Sequence, residues 1–163
     1  METGKNRYLG KRWFAGQVAR AGESGIVAPS YINDGETPIK GGYFVAMGDK
    51  PQCCRNVTSA TDKILGVAMV IGVHHEFKAG KNLSPMTLPN GSEIVVQMAK
   101  DSELSLGDPV TVVVTGEDAG TASHNGGIKT NFYVTDVNGS LAKIMRNEVT
   151  PAVQAATTKE EEE

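Results

Sequence analysis

The sequence predicts an all-β protein: one compact sandwich or barrel, jelly-roll-like or β-tulip-like, with an extended N-terminal arm and a flexible acidic C-terminal tail. Three observations carry this. Nineteen glycines and seven prolines stand against only 39% hydrophobic residues, the balance of many turns between short strands. The apolar residues fall in short runs rich in Val and Ile, bounded by Gly, Pro, Asn and Asp. No long stretch shows the periodicity and caps of a helix. The length of 163 residues suits a single domain with its own core.

Taken in order, residues 1–14 interleave Lys5, Arg7, Lys11 and Arg12 with Tyr8, Leu9, Trp13 and Phe14. No core-facing period runs through them, so they read as a basic aromatic docking arm that orders against a partner. The β body is expected over residues 15–147. Within it, residues 26–32 read as extended, with Pro29 favouring an edge position. Asn33-Asp34-Gly35-Glu36-Thr37-Pro38 is a turn by composition. Residues 43–47 and 64–71 read as two strands joined by a polar turn region, the second uncharged and buried on both faces. Residues 73–77 offer another short strand, while 79–82 and 85–91 read as loops. Residues 94–98 and 110–115 are strands, the latter with Val110, Val112 and Val114 on one face. Residues 117–127 read as a hydrophilic loop. Residues 128–137 and 141–145 form a hairpin around Asn138-Gly139. The expected core is Val67, Met69, Ile71, Val95, Val110, Val112 and Val114. Residues 148–163 are small, polar and finally acidic, ending in Glu160 to Glu163, and read as a flexible tail.

Composition and motifs exclude more chemistry than they offer. The formal net charge is −3 and the pI about 5.6, which is no nucleic-acid signature. The arm could bind nucleic acid by charge and stacking, but the acidic body favours docking to a protein, so no direct nucleic-acid partner is expected. The opening residues lack the apolar core of a signal peptide, and no uncharged run reaches the roughly 20 residues of a spanning helix. A soluble protein made in a reducing cytosol is expected, with no membrane partner. Cys53-Cys54 is no disulfide framework; one thiol reads as buried and the other as half-exposed. His74, His75 and His124 show no metal spacing, and adjacent His74 and His75 would point to opposite faces of a strand. No metal and no cofactor are expected. Gly22-Glu23-Ser24-Gly25 lacks nucleophile-elbow spacing, and Gly4-Lys5 and Gly10-Lys11 lack the rest of a phosphate loop. The carboxylate pairs Asp101 with Glu103 and Glu117 with Asp118 read as solvated loop charges. No enzyme is expected.

An ordered set of segments does point somewhere. Ala15-Gly16-Gln17-Val18-Ala19-Arg20, the extended residues 25–33, Thr37-Pro38-Ile39-Lys40-Gly41-Gly42-Tyr43-Phe44-Val45, Ile64-Leu65-Gly66-Val67-Ala68 and Leu106-Gly107-Asp108-Pro109-Val110-Thr111-Val112 follow one another. In that order they resemble the capsid cement, or decoration, proteins of tailed bacteriophages. Lys40-Gly41-Gly42 departs from that pattern, which more often has an apolar residue and one glycine. The resemblance implies a non-enzymatic structural virion protein on the outer capsid surface, bridging neighbouring major capsid proteins and self-associating as a dimer or trimer. The arm residues Arg7, Tyr8, Leu9, Arg12, Trp13 and Phe14 are then the candidate capsid-binding set, with Trp13 the best single anchor. The alternative reading is a carbohydrate-binding or adhesion module, which would need a platform of surface aromatics; the chain has one Trp and four Tyr.

Overall fold

Phe44, Val45 and Ala46 are all fully buried, and the short strand that carries them explains the layering of the molecule. The computed structural model describes residues 13–21, 29–88 and 91–146. Among these the chain forms fourteen strands and no helix; none is therefore long and apolar enough to cross a membrane. The first seven strands are β1 (Val18–Arg20), β2 (Tyr31–Asn33), β3 (Ile39–Lys40), β4 (Phe44–Met47), β5 (Cys53–Asn56), β6 (Ile64–Ala68) and β7 (Glu76–Phe77). The remainder are β8 (Asn82–Leu83), β9 (Pro85–Met86), β10 (Glu93–Gln97), β11 (Pro109–Val112), β12 (Ala122–Ser123), β13 (Ile128–Asn138) and β14 (Leu141–Arg146).

One six-stranded sheet runs β1-β10-β14-β13-β11-β12. It curls nearly into a barrel, because Met98, just beyond β10, bridges Ala122 of β12, and the Ala99 N–H donates to the Ala122 carbonyl at 2.9 Å. Curling brings the two margins of the sheet together and removes exposed edge. A second six-stranded sheet runs β8-β2-β5-β4-β6-β9, and β3 with β7 forms a third of two strands.

The period of two along β4 connects these layers. Phe44 and Ala46 face the main core, where they meet Val67 and Met86 of their own sheet and Ile94, Val96, Val112, Val134 and Ile144 of the barrel. The rings of Phe44 and Phe132 stack there at 6.1 Å. Val45 faces the other way, into a smaller core of Ile39, Cys54, Ala68, Phe77 and Leu83 beneath the two-stranded sheet. Buried Asn33 fastens that small layer: its Nδ2 donates to the carbonyls of Thr37 and Phe77, both at 3.0 Å, and its Oδ1 accepts from the Gly35 N–H at 3.0 Å. The turn signalled at residues 33–38 is thus an Asx-type turn held from within.

The all-β class expected from the sequence, a sandwich or barrel, is what the chain forms, with a nearly closed barrel-like sheet packed on a second sheet, and the 128–146 hairpin pairs Asn138 with Leu141 across Gly139. Several local expectations are corrected. Residues 43–47 and 64–71 do pair, but the segment between them contains β5, whose CCRN sequence has no apolar alternation to announce it. The strand from Ile64 ends at Ala68, and Ile71 is 50% exposed instead of in the core. Pro29 does not mark an edge, since β8 takes that place outside β2; residues 26–28 of that segment lie outside the described ones. Of the residues read as loops, Asn82 belongs to the two-residue strand Asn82–Leu83, and residues 85–86 and 122–123 are two-residue strands. His74 and His75 sit in and just after a turn closed by the His74 N–H on the Ile71 carbonyl at 3.2 Å, before β7 begins.

The barrel and the second sheet are joined by two glycines. The Gly16 N–H donates to Val95 of the barrel at 2.8 Å, and its carbonyl accepts from Val70, just past β6, at 3.0 Å. The Gly42 N–H donates to Ala68 of β6 at 2.8 Å, and its carbonyl accepts from Gln97 of β10 at 3.0 Å. A Cβ on Gly42 would lie 2.6 Å from the Gly16 nitrogen, and Gly42 has φ +78. Gly42→Ala meets both a left-handed backbone and an immovable neighbour; it is expected to cost at least about 2 kcal/mol, read as a lower midpoint in urea unfolding. Val112→Asp, which buries a charge in the main core, is expected to abolish soluble expression; soluble protein with an unchanged melting temperature would contradict this packing.

Candidate docking surface

The described chain enters at Trp13 and Phe14, so these two alone of the sequence-predicted site residues have a place in the structure. Arg7, Tyr8, Leu9 and Arg12 lie outside the described residues. A turn at Phe14–Gln17 leads into β1: the Gln17 N–H donates to the Phe14 carbonyl at 3.2 Å, and Gln17 Oε1 accepts from the Phe14 N–H at 3.3 Å. Trp13 is half-buried, with Lys143 Nζ of β14 at 4.5 Å from its ring centroid, a cation–π contact. Phe14 stays 42% exposed and meets His75 edge-on, ring centroids 5.5 Å apart. The two aromatics therefore divide: Trp13 lies over the barrel, and Phe14 reaches toward the turn before β7.

Two further polar groups shape the region around β5. Asp62 accepts two hydrogen bonds from the Arg55 guanidinium, at 2.8 and 3.0 Å, and two from the N–H groups of Thr58 and Ser59, at 2.8 and 3.0 Å. The bonded guanidinium, aided by those backbone donors and opposed by burial, holds the Asp62 carboxyl down at about 2. This pair fixes the 58–62 turn that delivers the chain to β6, and no feature of the sequence pattern singled it out. Cys54 is buried and Cys53 half-buried, both as free thiols. Burial, then the charges of Asp34 and Cys53, push the Cys54 thiol up to about 12, which keeps it protonated and a poor nucleophile at neutral pH. Among the described residues no three His, Cys, Asp or Glu side chains are grouped to hold a metal ion.

The surface also exposes several large apolar side chains. Ile71, Val73 and Leu106 are 50, 84 and 74% exposed. Ile71 and Val73 adjoin His75, and through it Phe14. The sequence reading missed both as surface residues because a Val-Ile run reads as buried strand; Gly72, at φ +62, is where the strand pattern fails.

The model of the XM1 gp53 minor capsid protein family matches residues 1–146. The chain belongs to that family, which makes it a capsid-associated protein of the tailed-phage type with a structural role in the capsid. A chain in the solved structure "The capsid of Myoviridae Phage XM1" shares the fold at a TM-score of 0.63 and 16% identity, over 83% of this chain and 91% of that one. No curated protein matches the sequence.

The Asp62 carboxyl sits below its unfolded value, so its ionised form stabilises the fold above about pH 4 and that contribution is lost as pH falls through about 2. Asp62→Asn is expected to cost about 2 kcal/mol at pH 7. Melting temperatures of the two proteins are expected to converge between pH 4 and about 2; a constant gap across that range would rule out the linkage.

Proposed function

We propose that this capsid protein binds the outer surface of the assembled shell, bridges neighbouring copies of the major capsid protein and stiffens the shell against the pressure of packaged DNA. The basic aromatic arm, residues 1–14, is the docking element, with the β body, residues 15–147, as a rigid brace and residues 148–163 as a separate acidic tail. The entry of the chain into the body carries the reading. Phe14 is 42% exposed on the surface of a body whose other phenylalanines are buried, and the segment before it continues the same mix of aromatics and cations. An exposed ring of this size is an interface anchor when a partner covers it. The cations Arg7 and Arg12 then meet carboxylates at the rim, while Tyr8 and Leu9 fill apolar depressions. Trp13 is held under Lys143 of the barrel.

Full-length protein carrying Ser at Arg7, Tyr8, Leu9 and Arg12 together with Phe14→Ala tests this by co-sedimentation with shells lacking the protein. The variant is expected to keep the circular dichroism spectrum of the parent and to lose at least about tenfold in shell affinity. Salt is expected to weaken parental binding only modestly, because apolar anchors are not screened. Undiminished binding by the variant would place the interface on the β body.

A further inference from the structure

The turn at residues 71–74 presents an apolar side chain to solvent and holds it still. Gly72, at φ +62, takes a conformation that L side chains rarely adopt, and the His74 N–H closes the turn on Ile71. The base is pinned on both sides: Val70 N–H donates to Gly16 at 3.0 Å, and His75 accepts from Gly41 at 2.8 Å. Val73, at the tip, is 84% exposed. Beside the turn lies a cleft of about 540 Å³ whose walls include Ile71, His74 and Phe77 and whose rim carries Lys78 and Lys81. Glu76 also lines it, so two lysines and one glutamate stand around the opening.

We infer that this cleft, with Val73 on its flank, is a second contact with the shell, made by the β body. It receives an apolar side chain flanked by carboxylates from a neighbouring shell subunit. The inference rests on the capsid-docking reading above and adds residues to it. Two features favour this occupant. The cationic rim is complementary to carboxylates and not to a basic surface. The described chain enters the body at Phe14, an exposed ring that touches His75 at the foot of this turn, so the cleft adjoins the aromatic of the docking reading. A two-fold contact between copies would instead set the lysines of one rim against those of the other. The turn needs little ordering on binding, so the burial of Val73 is not offset by loop entropy.

Full-length Val73→Asp, the pair Lys78→Glu with Lys81→Glu, and Leu106→Asp test this by co-sedimentation with shells lacking the protein. Leu106, 74% exposed before β11, is the control. The first two variants are expected to bind at least about tenfold more weakly, and the control as the parent, all with parental melting temperatures. The lysine pair keeps the test decisive should Val73→Asp fold poorly. Parental binding by both, with binding lost in the arm variant, overturns this second contact and leaves the arm reading standing. Failure of the parent itself to sediment with shells overturns both. A changed oligomeric state of free Val73→Asp, with shell binding intact, assigns the surface to a contact between copies and overturns the inference.

Discussion

Everything in this molecule depends on the backbone junction between Gly16 and Gly42. Each glycine donates to one sheet and accepts from the other, with partners at Val95 and Val70 for the first and at Ala68 and Gln97 for the second. The four bonds are made by main-chain groups that would otherwise be buried at a sheet boundary without partners. Close approach is possible because neither residue has a Cβ; one on Gly16 would stand 2.9 Å from the Gly42 nitrogen. The doublet Gly41-Gly42, a departure from the cement-protein pattern, is accounted for here, since a Cβ on Gly41 would meet the Ala15 carbonyl at 3.2 Å.

This junction also positions the edge where Trp13 and Phe14 lie. The segment that supplies Gly16 is the one that carries Trp13 and Phe14, and the segment that bonds to it through Val70 continues into the 71–74 turn. The entering segment and the turn are therefore both anchored at Gly16. Hydrogen bonds thus lead from the segment that carries Trp13 and Phe14 into β10 of the barrel and to the end of β6 in the second sheet, strands that line the main core. For a protein with a structural role in a capsid, that is a mechanically sensible route: force is carried by ladders and a packed core and not by a loop.

The longer strands were legible because alternation had room to show. Val110 and Val112 are buried and Val114 packs against the same core, as the spacing requires, and Gly139 at φ +60 takes the left-handed backbone of the hairpin turn. Strands of two residues, such as Asn82–Leu83 and Ala122–Ser123, have no period to read; only tertiary pairing creates them. Met69 and Ile71 shared the apolar run of β6, and the sequence could not show that pairing stops at Ala68. At the surface, the arm stood out by its mixture of cations and aromatics. Val73 did not, because one valine beside two histidines looks like strand, and its exposure follows from the turn at Gly72. The Arg55–Asp62 pair was equally silent, being a matter of how the end of β5 meets the turn that follows it.

A density map of the shell carrying this protein addresses the central claim most directly. The account predicts the β body on the outer face of the shell, with Phe14 and the 71–74 turn against major capsid subunits and Leu106 open to solvent. Finding the body bound with Phe14 and Val73 turned to solvent, or lodged on the inner face, would contradict it.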